Sequence, residues 1–568
     1  MVLLFSFIHR EESRLQMSTD RNVKEENETT NNKMVQGTFW MTFGSIFSRL
    51  IGALYIIPWN ALMGSTDAAN TANALYSIGY TPYQLFLSIG IAGFPAAMSK
   101  QVAQYNAKNQ YRTGIDIFKK SMFFMLLTGA VSAALMYGLA PMIAENSPAA
   151  SPEDGALVIR ALAPALLLVP GMSLMRGFFQ GYQDMVPSAI SQVFEQVGRV
   201  IYILGATYIV MQLLDGNIAT AVAHSTFAAF VGAIVATIIL LFYYKKKMAE
   251  YQPLIANSEP SSNIQTTAAI KSMLQESIPF ILIGSGITFA KLIDQVTFKP
   301  MMVNLTSYSG KEIEDLFGLF SFNADKLIMI IVSLAVGMAT AAVPLIAAEF
   351  MKGNLRMIQS QIREIIQLFA FIMLPAAFGM MVVSEPIYNV FYPLHPVGPT
   401  LLAVSALMSI VLGLFTVLGS ILQSLSRHKT MISYLLVGLV VKAIMQYPML
   451  ALFDTAGALV ATTIGFIVTV LLSGWKIYHL THFGLVDTLR KTGKILAVAL
   501  VMTACAFIAL KTSMLVIPID RKLTALVVVA IVAAVGGFVY LFLTLKLRIA
   551  DDILGAKANG LRRKMRIK

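Results

Sequence analysis

The sequence predicts an all-α polytopic membrane protein, and three observations predict it. Of its 568 residues, 57% are hydrophobic and only 13% charged, where soluble domains carry roughly a quarter charged residues. Apolar runs of about 20 residues, the length that crosses a bilayer as a helix, recur about fourteen times. The basic excess, a formal +13, gathers in the short polar loops between those runs. A nucleic-acid binder would carry that excess as basic stripes on a soluble fold. Placed in loops, it orients a membrane protein. The partners expected are therefore membrane lipid and a substrate within the membrane, with no nucleic acid.

The predicted spans lie near 37–58, 79–99, 120–143, 156–178, 188–213, 218–243, 278–303, 325–349, 364–384, 400–423, 431–452, 456–478, 494–512 and 523–546. Alternate loops then differ in charge. One set holds Lys100, Lys108 and Arg112; Lys245, Lys246 and Lys247; Lys352 and Arg356; Arg427 and Lys429; Arg490 and Lys491. The other holds Asp67, Glu145, Glu153, Asp154, Asp215, Glu385 and Asp454, with Lys311, Arg521 and Lys522 as exceptions. Retained Lys and Arg mark the cytoplasmic side. A multi-pass protein of the cell membrane with both termini in the cytoplasm is expected, which needs an even number of spans.

The domain organisation follows. Residues 1–34 are polar after a short apolar start and read as a disordered cytoplasmic tail. Residues 35–244 hold six spans, 245–275 form a cytoplasmic linker, and 276–480 hold six more. The last two spans occupy 490–547, and 548–568 are a basic cytoplasmic tail.

The two sets of six are related. Arg49-Leu-Ile and Pro58 in span one match Lys291-Leu-Ile and Pro300 in span seven, both at an offset of 242. Gln180 and Arg199 match Gln423 and Lys442, both at an offset of 243. Equal span counts on the same side make this a parallel repeat about an axis along the membrane normal. The expected architecture is two six-helix lobes plus two C-terminal helices. Pro58, Pro300 and Gly52 are candidate points where helices break or hinge.

Arg49, Arg199 and Lys442 each lie about 12 residues from a cytoplasmic helix end, roughly 18 Å deep, and Lys291 matches them. Charges at that depth are expensive and persist where they line a wet cavity or find a partner. Glu195 and Arg199 stand at i,i+4, and Lys291 and Asp294 at i,i+3, so these pairs read equally well as internal salt bridges or as cavity groups. Arg49 and Lys442 have glycines, Gly52 and Gly438, where a helical acid would stand. Four cations against two acids make a cavity suited to an anion, a diphosphate being the natural candidate. Arg176 is expected to reach the cytoplasmic surface.

Enzyme signatures are missing. There is no GxxxxGK[ST], no HExxH and no histidine cluster, and Cys505 is the one cysteine. No enzyme activity, cofactor or metal site is expected.

Phe47-Ser48-Arg49-Leu50-Ile51-Gly52, the helix count, and residues 176–199 (RGFFQGYQDMVPSAISQVFEQVGR) carry a resemblance. The chain resembles the polysaccharide-transporter branch of the multidrug/oligosaccharidyl-lipid/polysaccharide (MOP) exporter superfamily, and is similar to its stage V sporulation protein B/YtgP group. That resemblance implies the MATE-like flippase fold, with two V-shaped lobes around a cationic cavity. It implies flipping of an undecaprenyl-diphosphate-linked saccharide, the peptidoglycan precursor lipid II first, by alternating access. The alternatives are a flippase for another polysaccharide repeat unit, of capsule or teichuronic type, and a multidrug/cation antiporter of the same fold. The net basic charge at depth argues against the antiporter. A monomer working near the cell-wall synthesis machinery is implied. MurJ-type flippases share an Arg-x-x-Gly-x-x-Arg pattern, which Arg49 and Gly52 fit, while Tyr55 replaces the second arginine and residues 79–98 hold no cation. Lys291, Arg199 and Lys442 are expected to supply the missing charge.

Overall fold

A computed structural model describes residues 51–258 and 278–554, less 92, 150 and 280, and the single positions 48, 558, 560, 562 and 563. The predicted tail 1–34, most of the first span, residues 259–277 of the linker and most of the C-terminal tail lie outside the described residues. Among the described residues all regular structure is helical.

The first half comprises α1 (Ile56–Leu62), α2 (Thr66–Ile91), α3 (Phe94–Ala107) and α4 (Tyr111–Glu145). It continues with α5 (Pro152–Leu162), α6 (Ala165–Gly181), α7 (Val186–Tyr208) and α8 (Ile218–Ala256). The second half begins with α9 (Gly286–Leu305), α10 (Gly310–Gly318), a π-helical segment Leu319–Ala324 and α11 (Asp325–Met351). Next come α12 (Leu355–Val382), α13 (Ser384–Phe391), α14 (Gly398–Ser424), α15 (His428–Phe453) and α16 (Ala456–Thr481). α17 (Leu485–Val516) and α18 (Lys522–Lys546) complete the series.

Local chemistry sets several ends. Ser151 accepts from the Asp154 amide with Pro152 in the first turn of α5. Asn217 and Asn354 cap α8 and α12 in the same way. Ser309 and Glu312 form a reciprocal capping box on α10. Each satisfies backbone amides that a helix start leaves without a partner.

Among the described residues, eleven helical stretches are long and apolar enough to cross a membrane. Phe123, Leu515 and Val516 project outward, each more than 70% exposed. Large apolar side chains on that many outer faces fit a lipid environment. α2 and α9 stand outside this apolar class. α2 buries Asn70, Asn73, Ser77 and Thr81, and α9 carries Lys291, Asp294 and Gln295. Their polarity is spent on interior contacts, and they are the elements expected as parts of the spans at 79–99 and 278–303.

Three predicted boundaries change. The span at 79–99 straddles a break: Gly93, at φ 68°, separates α2 from α3 in a left-handed conformation that favours glycine. The span at 325–349 begins about fifteen residues early, at Gly310, because the charged run Lys311, Glu312, Glu314 and Asp315 is itself helical. Asp325 and Lys326 therefore lie roughly 22 Å along the helical stretch rather than at its mouth. Finally, α8 runs on to Ala256, inside the predicted linker. Its extension is held by Tyr251 stacked on Tyr182 at 4.1 Å and by Lys247 paired with Asp184 at 3.3 Å.

The halves use the same packing device. On α8, a Cβ at Gly232 would lie 2.8 Å from the Glu195 carbonyl oxygen and 3.3 Å from the Arg199 Cβ. On α16, a Cβ at Gly465 would lie 2.5 Å from the Gly438 carbonyl oxygen and 2.9 Å from the Lys442 Cβ. Residues 195 and 438, like 199 and 442, are 243 apart. In both places a glycine lets two helix backbones approach closely, the usual way membrane helices associate.

Candidate functional site

A cavity of about 550 Å³ lies between α2, α7 and the segment preceding α1 on one side and α9, the π segment and α11 on the other. Tyr55, Tyr76, Tyr80, Gln84 and Gln196 give its wall a polar and aromatic character. Among the described residues, Arg199, Lys291, Lys326 and Asp325 are the charged residues lining it, three cations against one carboxylate.

Arg199 reaches Glu195 at 3.5 Å, on its own helix. Glu195 is shared, since Arg176 Nη2 donates to it at 2.8 Å and Arg176 Nε donates to Ser191 at 2.9 Å. Arg176 therefore does not run to the surface as expected; a half-buried carboxylate one helix away draws it inward. Two guanidinium groups on one carboxylate leave positive charge over. The Arg199 Nε is buried without a protein partner, as are the Tyr55 hydroxyl and the Ser321 hydroxyl on the same cavity wall. Buried polar atoms are normally bonded, so these three mark where a polar ligand or water belongs.

Lys291 donates to Asp325 at 2.8 Å. The expected partner, Asp294, is engaged elsewhere. Lys326 stands over the rings of Tyr76, Tyr80 and Phe322, 5.2–5.3 Å from each centroid. Among the described residues it has no carboxylate at ion-pair distance, and aromatic faces are what support its charge. Sequence reasoning missed Lys326 because span eight was placed with this residue at its mouth. The signal that could have found it is the Asp-Lys pair itself, which is unusual inside an otherwise apolar stretch.

Lys442 requires the main correction. It is 1% exposed and does not line the cavity. Its ammonium donates to Asp294 Oδ1 at 2.6 Å, to Thr462 Oγ1 at 2.6 Å and to Gln446 Oε1 at 3.3 Å. Gln446 Nε2 also donates to Asp294, at 2.8 Å. The acid comes from α9, a different helix, so a search for acids one turn away could not detect it. A buried pair with its remaining valences satisfied is a structural element, and no donor is left over for substrate.

Arg49 lies outside the described residues; its described neighbours Ser48 and Gly52 line the cavity. A Cβ on Gly52 would lie 3.1 Å from Gln196 Nε2, the end of a side chain that also lines the cavity. Pro58 lies within α1, and Tyr55 before it keeps a right-handed helical conformation; α9 likewise continues through Pro300.

The sequence profile of a family described as polysaccharide biosynthesis protein matches residues 34–350. A MatE profile matches 324–448. The chain is 34% identical over 549 residues to the lipid II flippase MurJ of Bacillus subtilis (strain 168), covering 94% of this chain and 99% of that protein. It is 24% identical over 520 residues to the membrane protein YabM of the same organism, covering 91% and 93%. Among solved structures, the lipid II flippase MurJ in an inward closed conformation superposes with a TM-score of 0.60 at 13% identity, over 89% of this chain and 99% of that one. An inward-facing multidrug resistance MATE family transporter of the MOP superfamily gives 0.56 at 13% identity, over 76% and 99%. At those identities the likeness is one of fold.

Proposed function

Because the chain belongs to the polysaccharide biosynthesis protein family, we propose that it flips an undecaprenyl-diphosphate-linked saccharide, lipid II first, across the bacterial cytoplasmic membrane. The observation that carries this reading is the central cavity, lined among the described residues by the cations Arg199, Lys291 and Lys326 and the one carboxylate of Asp325. A wall with two surplus positive charges suits a diphosphate. Its tyrosines offer flat faces and hydroxyls to a sugar.

The reading needs fourteen spans. The eleven apolar stretches are joined by α2, α9 and the first predicted span, with both termini in the cytoplasm. α1–α8 with the preceding span then form one six-helix lobe and α9–α16 the other. α17 and α18 stand outside the repeat. The lobes rock about the cavity, which faces each side in turn. Arg49 joins the cavity cations, while Lys442 and Asp294 brace the second lobe. The protein acts as a monomer beside the cell-wall synthesis machinery.

The test is lipid II exposed on the outer surface of cells depleted of their own flippase. Expression of this chain restores exposure. Arg49→Ala abolishes the rescue while the protein still reaches the membrane, and Arg49→Lys keeps part of it, since a point charge still binds phosphate. Unrestored exposure with normal membrane insertion would sink lipid II as the substrate. Exposure of another polymer's lipid-linked unit would then be measured in its place.

A further inference from the structure

Three contacts between the halves share one spacing. Thr71 Oγ1 donates to Asp315 at 3.3 Å, across 244 residues. Ser77 Oγ donates to the Ser321 carbonyl at 3.1 Å, again across 244. A Cβ on Gly318 would lie 3.0 Å from the Cβ of Ala74, and these two positions are also 244 apart. That spacing is within one or two residues of the 242 and 243 of the repeat, so each contact joins near-equivalent positions of the two halves, as at an interface about a two-fold axis. The steps 71, 74, 77 and 315, 318, 321 each follow one helix face. α2 and the α10–π stretch thus run side by side along the axis. One turn further on, Thr81 and Asp325 line the cavity. The seam therefore roofs the cavity.

A second set of bonds fastens it. On α9, Lys291, Gln295 and Lys299 stand at i, i+4 and i+8. Lys291 lines the cavity. Gln295, 1% exposed, donates to the Ile78 carbonyl at 3.0 Å and to Ser147 Oγ at 2.8 Å. Lys299 donates to the Ala149 carbonyl at 2.7 Å. Ser147 and Ala149 lie in the short loop between Glu145, which ends α4, and Glu153, in the first turn of α5. One face of α9 therefore grips the first half at the seam's end of the molecule.

The chemistry of the seam suits separation. Ala74, Ser77, Gly318 and Ser321 are small, so parting them exposes little apolar area. The fasteners are single hydrogen bonds that water can replace. Asn73, beside Ala74, is fully buried with both amide atoms unpartnered, and the Ser321 hydroxyl is unpartnered too. Closure leaves these groups unsatisfied, and water entering an opened seam would satisfy them.

We propose that this α2/α10 seam is the outer gate of the cavity and that Gln295 and Lys299 are its latch. The inference rests on the flippase reading only for which face is outer. The test uses the full-length protein in a Cys505→Ser background, with Thr288→Cys in the cavity wall and a membrane-impermeant maleimide applied to intact cells. Gln295→Ala with Lys299→Ala is expected to raise labelling from outside about five- to thirtyfold, at unchanged membrane level. Thr71→Cys with Asp315→Cys, oxidised to a disulfide, is expected to bring labelling to background, and reductant to restore it.

Labelling unchanged by the latch variant overturns the proposal. So does failure of the cysteine pair to cross-link, or cross-linking without loss of labelling. Labelling that rises in inside-out vesicles but not in intact cells overturns the assignment to the outer face. The readout needs no lipid substrate. Altered labelling without restored lipid II exposure would sink the substrate alone, and unaltered labelling with restored exposure would sink the gate alone.

Discussion

Arg199 on α7 and Lys442 on α15 hold the same place in the two halves, 243 residues apart, and each packs its Cβ against a glycine of the next helix. Their charges go opposite ways. Arg199 lines the cavity and shares Glu195 with Arg176. Lys442 turns into its own half and closes on Asp294, Thr462 and Gln446. The difference lies in where the acid sits. The first half has Glu195 on the cation's own helix, where the second has Gly438. The second half has Asp294 on α9, at the place that Gly52 takes in the first. Moving one carboxylate from the cation's helix to its neighbour converts a cavity group into an interior brace. Depth along the helix is inherited from the repeat; the side to which the cation turns is decided by the acid.

That comparison can be broken most sharply at Lys442. Lys442→Met leaves Asp294 buried without its cation and should cost about 3–5 kcal/mol, read as a lower melting temperature of the purified protein. Adding Asp294→Leu should recover much of it. A melting temperature unmoved by the single variant would mean that the pair is no brace. Lys326→Ala should do the reverse, leaving melting unchanged while lowering lipid II exposure about ten- to a hundredfold, because a hydrogen bond to a charged group is worth about 1.5–3 kcal/mol. Lys326→Arg should retain most activity. Loss of melting temperature with Lys326→Ala would return this cation to the structural class.

Finer tests address the shared frame and the aromatic support. Gly232→Val and Gly465→Val should each destabilise by about 1–3 kcal/mol through forced separation of packed helices, and by similar amounts if the halves are equivalent. A neutral result at one glycine would break the equivalence. Smallest of all, Tyr76→Leu removes one of three rings from Lys326 and should lower flipping about two- to fivefold, in line with about 0.5–1 kcal/mol for such a contact. No effect would show that Tyr80 and Phe322 suffice.

Much of this was legible from residue types. The cavity cations Arg199 and Lys291 stood out because charge inside an apolar run is rare. Glu195, the acid one turn from Arg199, stood out as well; the other partners did not, because an i,i+4 search sees one helix, and Asp294, Asp325 and Arg176 act between helices. Lys326 was hidden by a boundary: the polar start of α10 looked like a loop, and its residues are helical because Ser309 and Glu312 cap them. α2 and α9, expected as parts of the spans at 79–99 and 278–303, carry more polarity than the other spans, and it faces the cavity, the seam and the neighbouring helices rather than lipid.

The order of the helices and the repeat spacing were determined by the sequence alone, because hydrophobic period and loop charge are local quantities. Tertiary structure decided which carboxylate answers which cation, which face of α9 grips the loop between α4 and α5, and which residues meet on the axis between the halves. Those depend on contacts between residues 34 to 244 positions apart. Only the packed helices bring such positions within the few ångströms over which hydrogen bonds and ion pairs act.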